Sequence, residues 1–488
     1  MESVRVLSRR TVKPPSWCAR ELIPLTSWDV SMLAAEYIQK GLLFPAPPFP
    51  IFPDLIDHLE ASLTDTLATY YPVAGRFITE QHRDDKEEEI VVGCSVSIDC
   101  DGQGVEIVRA VADGVAISDV IPPSSPNPGG EKQEGSLVDD VPIGLLQRFF
   151  PLDGAVNHDG HHVPLFVVQV TELLRDGAVF LGFAYNHALS DGTAFWDFIN
   201  AWAHIARARI NPHESGPPPL VVLKRWSADG GEPGPVVLRG YADASELIER
   251  MSPPPLREKM LHFSAETLAA LKEKARQELV AAGDIQGAAA VTRFQALSSL
   301  LWRSITRARR LHTTTSTTVC RAAINNRGRL VPPLPKEYFG NTIYAISTSP
   351  PVRASELLDR GLGWAAAAVG RAVANHTDAD IRSRVEAWTA KPVVYTLRFF
   401  DPNGTMMGSS PRFDMYGCDF GWGKPIAARS GRANKFDGKT SLYPGREGGG
   451  SIDAELVLEP QHMANLEHDQ EFLFWATNTT SFRPQDSQ

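Results

Sequence analysis

The sequence predicts a mixed α/β (α+β) protein organised as two lobes. Three observations predict it. Apolar runs of strand character alternate with amphipathic helical patterns, and this alternation occurs on both sides of a long Pro-rich stretch. The chain's 488 residues leave room for more than one hydrophobic core. The composition, 43% hydrophobic and 22% charged, supports such cores without disulfide or metal staples.

The elements follow in order. Between residues 54 and 69, Leu55, Leu59, Leu63 and Leu67 recur every four positions and mark one helical face. YYPVAGRF at 70–77 ends that helix at a proline and leads into a strand. Residues 121–135, IPPSSPNPGGEKQEG, read as a loop because Pro and Gly dominate. LFVVQVTELL and AVFLGFAY, joined by RDG, read as a hairpin. His187 falls just past the second of these strands. From Thr193 onward, Phe195, Phe198, Ile199, Trp202 and Ile205 share a helical face, so HALSDG occupies a strand-to-helix turn.

The Pro-rich stretch 210–262 contains NPHESGPPP, GGEPGP and MSPPPLR and is the candidate crossover. It divides the chain into a first lobe at 1–225, a crossover at 226–262 and a second lobe at 263–488. Beyond it, SAETLAALKEKARQEL reads as a helix capped by Ser264, with Glu266 in its first turn. Further helices are expected at 292–308, where Phe294, Leu297, Leu301 and Ile305 align, and at 354–374. Strands and Gly/Pro loops follow residue 390.

Charge and motifs exclude several function classes. A net charge of −10 opposes broad nucleic-acid binding. No run of 18 apolar residues marks a membrane span. MESVRVLSRRTVKPPSW lacks the apolar core of a secretory signal, so a cytoplasmic location is expected, and sequons at Asn375, Asn403 and Asn478 are then chance matches. Cys18, Cys94, Cys100, Cys320 and Cys418 are odd in number and scattered, which reads as reduced thiols with no metal site.

His187 titrates near neutrality, so it can accept a proton and return it within one turnover. The bland alternative is a histidine satisfied by nearby backbone. Asp191 is either its partner or the N-cap of the following helix, and spacing alone leaves both open. The absence of GxSxG weighs against a serine hydrolase. NHDGHH, with His158, His161 and His162, reads as a solvated loop rather than a metal cluster. ANKFDGKT at 433–440 fits a relaxed phosphate loop, but the Pro and Gly that follow forbid the helix such a loop requires. The same region carries Lys424, Arg429, Arg432, Lys435, Lys439 and Arg446 against the single acid Asp437. It is either a solvated basic loop or a site for a phosphorylated ligand.

HALSDG carries HxxxD at His187 and Asp191, and DFGWGKP carries DFGWG at Asp419–Gly423. YFGN at 338–341, LTSWD at 25–29, YYPVAGR at 70–76 and NNRGRLVPPLP at 325–335 complete a set whose order and spacing span nearly the whole chain. Together these segments resemble the plant BAHD acyl-CoA-dependent acyltransferase family. The resemblance implies two chloramphenicol acetyltransferase-like lobes, a crossover loop and a central solvent channel, with a segment near 420–445 returning to the first lobe. It implies His187 as general base for the attack of a small-molecule alcohol or amine on acyl-CoA, the co-substrate. No permanently bound cofactor, metal or covalent acyl-enzyme is implied, and a monomer is expected. Asp191 becomes structural support of the motif, with Arg327 of NNRGR as its candidate partner. Gly421, Trp422 and Gly423 are implied to be structural, and Asp419 is a subordinate acid–base candidate. Ser430, Gly431 and Lys435 become candidates for the CoA phosphates. Two other readings stay open. One is a condensation-type enzyme, which usually shows a second His where Asn186 stands. The other is a repurposed relative, an acyl-ligand binder or a lyase using the same pocket.

Overall fold

Apolar runs of strand character assemble into two six-stranded mixed sheets. The computed structural model describes residues 3–477, except 17–20, 50–51, 85, 88, 122–142, 215, 217–219, 232, 252–253, 312–314 and 397–398. Cys18, the sequon at Asn478 and nearly all of the loop expected at 121–135 lie outside the described residues.

The first sheet runs, in spatial order, Ser3–Val12, Val105–Asp113, Phe166–Leu173, Val179–Tyr185, Ile38–Phe44 and Ala427–Ser430. The expected hairpin forms its centre, antiparallel from Phe166 opposite Tyr185 to Glu172 opposite Val179. Every residue of Val179–Tyr185 is buried, because both faces of the sheet are covered. On one face the leucines of helix Phe52–Thr69 pack with Phe195, Phe198 and Trp202 of helix Gly192–Ile210. Trp202 Nε1 donates to Ser62 Oγ at 3.0 Å and joins the two helices. On the other face Leu145, Phe149 and Phe150 meet Phe180 and Leu43.

The second sheet runs Arg257–Phe263, Ile452–Leu458, Lys439–Pro444, Thr405–Gly408, Cys320–Asn325 and Ile343–Ser347. Helices Ala265–Ala281, Arg293–Ala308 and Gly361–Ala374 bury Leu268, Leu301 and Leu362 against it. Ser264 caps the first of these helices by accepting from Thr267 N at 3.1 Å. The single helix expected at 354–374 is two helices, Ala354–Asp359 and Gly361–Ala374. Gly361 at φ +82° breaks the run, a conformation that excludes helical continuation. Helices Asp378–Ala390, Pro460–Leu466 and Gln470–Thr477 add to those the apolar period predicts.

The stretch expected to be a plain crossover is partly paired. Leu238–Arg239 adds to strand Val91–Asp99 in a smaller sheet with Leu22–Pro24 and Arg76–Arg83. The second sheet already begins at Arg257, before the expected boundary at 263. Near the other end, Ala427–Ser430 pairs with Ile38–Phe44 in the first sheet, and Lys439–Pro444 then enters the second. The short segment between them therefore ties the two sheets. NHDGHH is not a solvated loop: it forms a 3-10 turn over Asn157–His161 with Asn157 fully buried, and burial pushes His158 down to about 4, with His161 acting the same way. No helix among the described residues is long and apolar enough to cross a membrane.

The hairpin's tight cover gives a direct check. A Cβ at Gly182 would sit 2.0 Å from the Phe149 carbonyl oxygen, whereas one at Gly234 meets nothing within 4 Å. Gly182→Ala is expected to cost about 1–3 kcal/mol in denaturant melts, and Gly234→Ala close to nothing. Equal melting of the two variants would contradict this packing.

Candidate active site

The strand Val179–Tyr185 ends where its ladder gives way to side-chain hydrogen bonds. Asn186 Nδ2 donates to Asn157 O at 2.8 Å, and His187 N donates to Asn157 Oδ1 at 2.7 Å. Asn341 Nδ2 donates to His187 O at 2.8 Å and to Asp29 Oδ1 at 2.9 Å. Asp29 also accepts from Thr26 N and Thr26 Oγ1, both at 2.8 Å. Segments LTSWD, YFGN and HALSDG thus meet around the backbone of one residue. That backbone is fixed on both its N–H and its C=O.

The His187 ring itself is held more loosely. Its Nδ1 is buried and has no hydrogen-bond partner among the described residues. Burial pushes the imidazole below its ordinary pKa, and Lys439 acts the same way. The residue's own backbone, Asp191 and Asn341 oppose the shift without reversing it. The shift favours the neutral ring, the form that can take up a proton.

Of the two roles that spacing left open, Asp191 takes the helix cap and not the catalytic dyad. Its Oδ1 accepts from Thr193 N at 3.1 Å and Ala194 N at 3.2 Å, which caps helix Gly192–Ile210. Arg327 clasps the same carboxylate through both its oxygens, Nη1 to Oδ2 at 2.7 Å and Nη2 to Oδ1 at 3.0 Å. Thr342 N donates to Oδ2 at 3.0 Å. Arg327 is completed by the carbonyls of Tyr338 and Gly340, both at 3.0 Å, and by Thr342 Oγ1 at 2.8 Å. None of these hydrogen bonds of Asp191 goes to His187, and the Asp191 side chain is fully buried.

A family model described as Transferase family matches residues 2–473. The chain belongs to the BAHD acyltransferase family. A BAHD acyltransferase of Arabidopsis thaliana, DCR, is 32% identical over 96% of this chain and 92% of its own length. A second Arabidopsis thaliana protein, named as an uncharacterized acetyltransferase, is 34% identical over 97% of this chain and 99% of its own. Among solved structures, F. graminearum TRI101 complexed with coenzyme A and deoxynivalenol shares the fold. Its TM-score is 0.67 at 18% identity, over 93% of this chain and 98% of that one.

The DFGWG segment lies elsewhere. Asp419 accepts from Gly421 N at 2.8 Å and Gly423 N at 3.0 Å, closing a tight loop. Gly421 and Gly423 have φ of +108° and +102°, values that favour glycine. A Cβ at Gly421 would lie 2.5 Å from Ile210 Cδ1. Trp422 stacks on Phe420 at 5.6 Å and meets Phe44 edge-on at 5.8 Å. The loop therefore packs on the last turn of the helix that Asp191 caps at its first. Helical rise alone separates Arg207 from Asp191 by roughly 24 Å. Asp419 clamps this loop at the far end of the helix.

Two of the residues expected at the CoA phosphates, Ser430 and Lys435, have partners within the protein. Lys435 is buried, and its Nζ donates to Glu258 and, at 3.0 Å, to Glu455 Oε1. Ser430 Oγ and Tyr443 OH donate to the other Glu455 oxygen. A Cβ at Gly431 would lie 2.1 Å from Gln39 Oε1, so this glycine permits close approach of two strands. Arg432 pairs with Asp153 at 2.6 Å, and Arg429 is buried on the carbonyls of Val120 and Ala428. Arg429, Arg432 and Lys435 of the basic segment are thus partnered within the protein, as is the Ser430 hydroxyl. Sequence reasoning misses Asn157, Asn341, Asp29 and Arg225, the last of which donates to Phe339 O at 2.9 Å and Leu189 O at 3.1 Å. YFGN and LTSWD flag two of them only as parts of segments.

Two substitutions test these placements. Asp191→Asn leaves Arg327 charged and buried, at an expected cost of about 3–5 kcal/mol in chemical denaturation. A wild-type midpoint would contradict the clasp. Lys435→Met is expected to lower the melting temperature by leaving Glu258 and Glu455 without their cation, with the donor KM unchanged. Normal melting with a raised KM for acyl-CoA would restore the phosphate assignment.

Proposed function

We propose that this BAHD protein transfers an acyl group from an acyl-CoA thioester to a hydroxyl or amine of a small plant metabolite, with His187 as general base. The observation that carries the reading is the buried His187 imidazole, fixed through its backbone by Asn157 and Asn341, whose Nδ1 has no partner among the described residues. TRI101 complexed with both coenzyme A and deoxynivalenol supports a site that holds donor and acceptor at once. The lobes proposed at 1–225 and 263–488 enclose a channel through which the two substrates reach His187 from opposite faces. The protein acts as a cytoplasmic monomer in this reading.

The chemistry follows from the imidazole. His187 takes the proton of the acceptor O–H or N–H as that atom attacks the thioester carbonyl carbon. The carbonyl electrons move onto oxygen, giving a tetrahedral oxyanion. Its collapse re-forms the carbonyl and breaks the C–S bond, and CoA thiolate leaves. The imidazolium then returns its proton to the thiolate. The step as written uses no metal and no acyl-enzyme. Holding both substrates in register supplies much of the rate by proximity and orientation.

Replacement of His187 by Ala is expected to slow thiol release from acyl-CoA by about 10²–10⁴-fold, with an unchanged melting curve. A folded variant with wild-type turnover would sink the assignment. Because the pKa of His187 is lowered, the base form is already present at neutrality. The rate kcat/KM should be flat near pH 7 and fall only as pH drops through a value below 6.5. A midpoint above 6.5 would oppose a buried neutral base.

A further inference from the structure

We infer that Lys40 and Lys439 form a carboxylate-binding subsite beside His187, so that one of the two substrates carries a carboxylate. The inference rests on the reading of His187 as the reaction centre.

The placement comes from the hydrogen bonds around Asn157. Ile38 lies opposite Tyr185 at the end of the antiparallel pair; beyond it Glu36 bridges Val156, and Asn157, which accepts from His187 N, donates its own N–H to Ala35 O at 2.8 Å. Asn434, left-handed at φ +59°, is stitched to Glu36 by three hydrogen bonds. Glu36 N donates to Asn434 Oδ1 at 3.0 Å, Asn434 N to Glu36 Oε2 at 2.6 Å, and Asn434 Nδ2 to Glu36 O at 2.8 Å. Lys439 Nζ donates to Asn434 O at 2.6 Å, which anchors its ammonium next to the histidine turn. Lys40 comes from the first sheet, opposite Phe183. Its Nζ donates to Tyr443 OH at 2.8 Å and lies 4.4 Å over the Tyr443 ring, on the strand that Lys439 opens. Two cations from facing sheets therefore converge where the lobes join.

Lys435 shows what a purely structural lysine looks like in this protein. It has two carboxylate partners, and those partners hold its pKa above the ordinary value despite burial. Lys40 and Lys439 have neither feature. Each ammonium offers three donors and has one hydrogen-bond acceptor among the described residues. Both are partly accessible, whereas Lys435 is buried. The surrounding carboxylates are engaged elsewhere: Glu455 by Ser430, Tyr443 and Lys435, Glu258 by Lys435, and Glu36 by Asn434. Burial lowers Lys40 to about 7 and Lys439 to about 8. The neighbouring lysines add to this, and Glu455, with Glu36 for Lys439, opposes it. An arriving carboxylate would take up the free donors and favour the charged forms.

The carboxylate comes either from the acyl group or from the acceptor, and paired probes separate the two. Binding to the full chain is read by titration calorimetry at pH 6.5, with succinyl-CoA against butyryl-CoA. With CoA saturating, 4-hydroxybenzoate is read against its methyl ester. The expected result is at least a tenfold preference for the anion in one pair, which identifies the source. The preference should shrink below threefold in Lys439→Met and Lys40→Met and persist in Lys439→Arg. In the wild type it should also decline between pH 6.5 and 9.5 as the ammoniums discharge, a readout that needs no variant. Absence of a tenfold preference in both pairs, or one that survives both Met substitutions, overturns the proposal. Failure of the acyltransferase reading appears separately, as thiol release indifferent to His187, since these binding ratios require no turnover.

Discussion

A carboxylate with no exposed atom and a guanidinium almost as deeply buried join the strand-to-helix turn of the first sheet to the segment 325–342. Taking either ion out of water costs several kcal/mol, so the pair persists only because the groups around it supply a dense set of hydrogen bonds. Asp191 meets two helix amides, the Thr342 amide and two guanidinium nitrogens. Arg327 adds two backbone carbonyls and a threonine hydroxyl. The helix start and the approach of YFGN depend on this one clasp. Asn341, which holds the His187 carbonyl, is the immediate neighbour of Gly340 and Thr342, both bonded to the pair.

A second ionic centre works at the same junction. Glu455 gathers Ser430 from the first sheet, Lys435 from the segment that crosses over, and Tyr443 from the second sheet. Buried ionic networks add little net stability compared with apolar packing, but they penalise any arrangement that separates their members. Here that penalty fixes how the two sheets meet. The DFGWG loop contributes at the opposite end of the long helix, through aromatic stacking and two left-handed glycines. The helix Gly192–Ile210 is therefore pinned at both ends, by a charge clasp near His187 and by packing at its far end.

Much of this is legible in the sequence where the signal is local. The hairpin, the leucine-faced helix, the Ser264 cap and the turn holding His187 and Asp191 each follow from periodicity or from cap chemistry within a few residues. The motif set also points to Arg327. What fails depends on partners far along the chain. Lys435 reads as a free basic residue because its carboxylates, Glu258 and Glu455, lie on other strands of the second sheet. Counting charges in a window cannot reveal pairing across a fold. Asn157 and Asn341 escape notice because an asparagine that satisfies a distant backbone leaves no pattern of its own. Gly361 is a local cue, but the apolar period across it outweighs a single glycine and suggests one long helix.

In the proposed reaction these constraints serve a modest chemical end, which is to hold one imidazole neutral and open to a substrate proton. Burial removes the solvation that an imidazolium needs, and Lys439 adds like-charge repulsion. Asp191 is kept from quenching that effect because Arg327 holds its charge. The most direct test is an NMR titration of the His187 ring nitrogens in the full chain without substrate. The account predicts a midpoint below 6.5, the ordinary histidine value, and a neutral ring at pH 7. A midpoint at or above 6.5 would show that Asp191 governs the ring after all, and would contradict the division of the HxxxD pair into a base and a structural clasp.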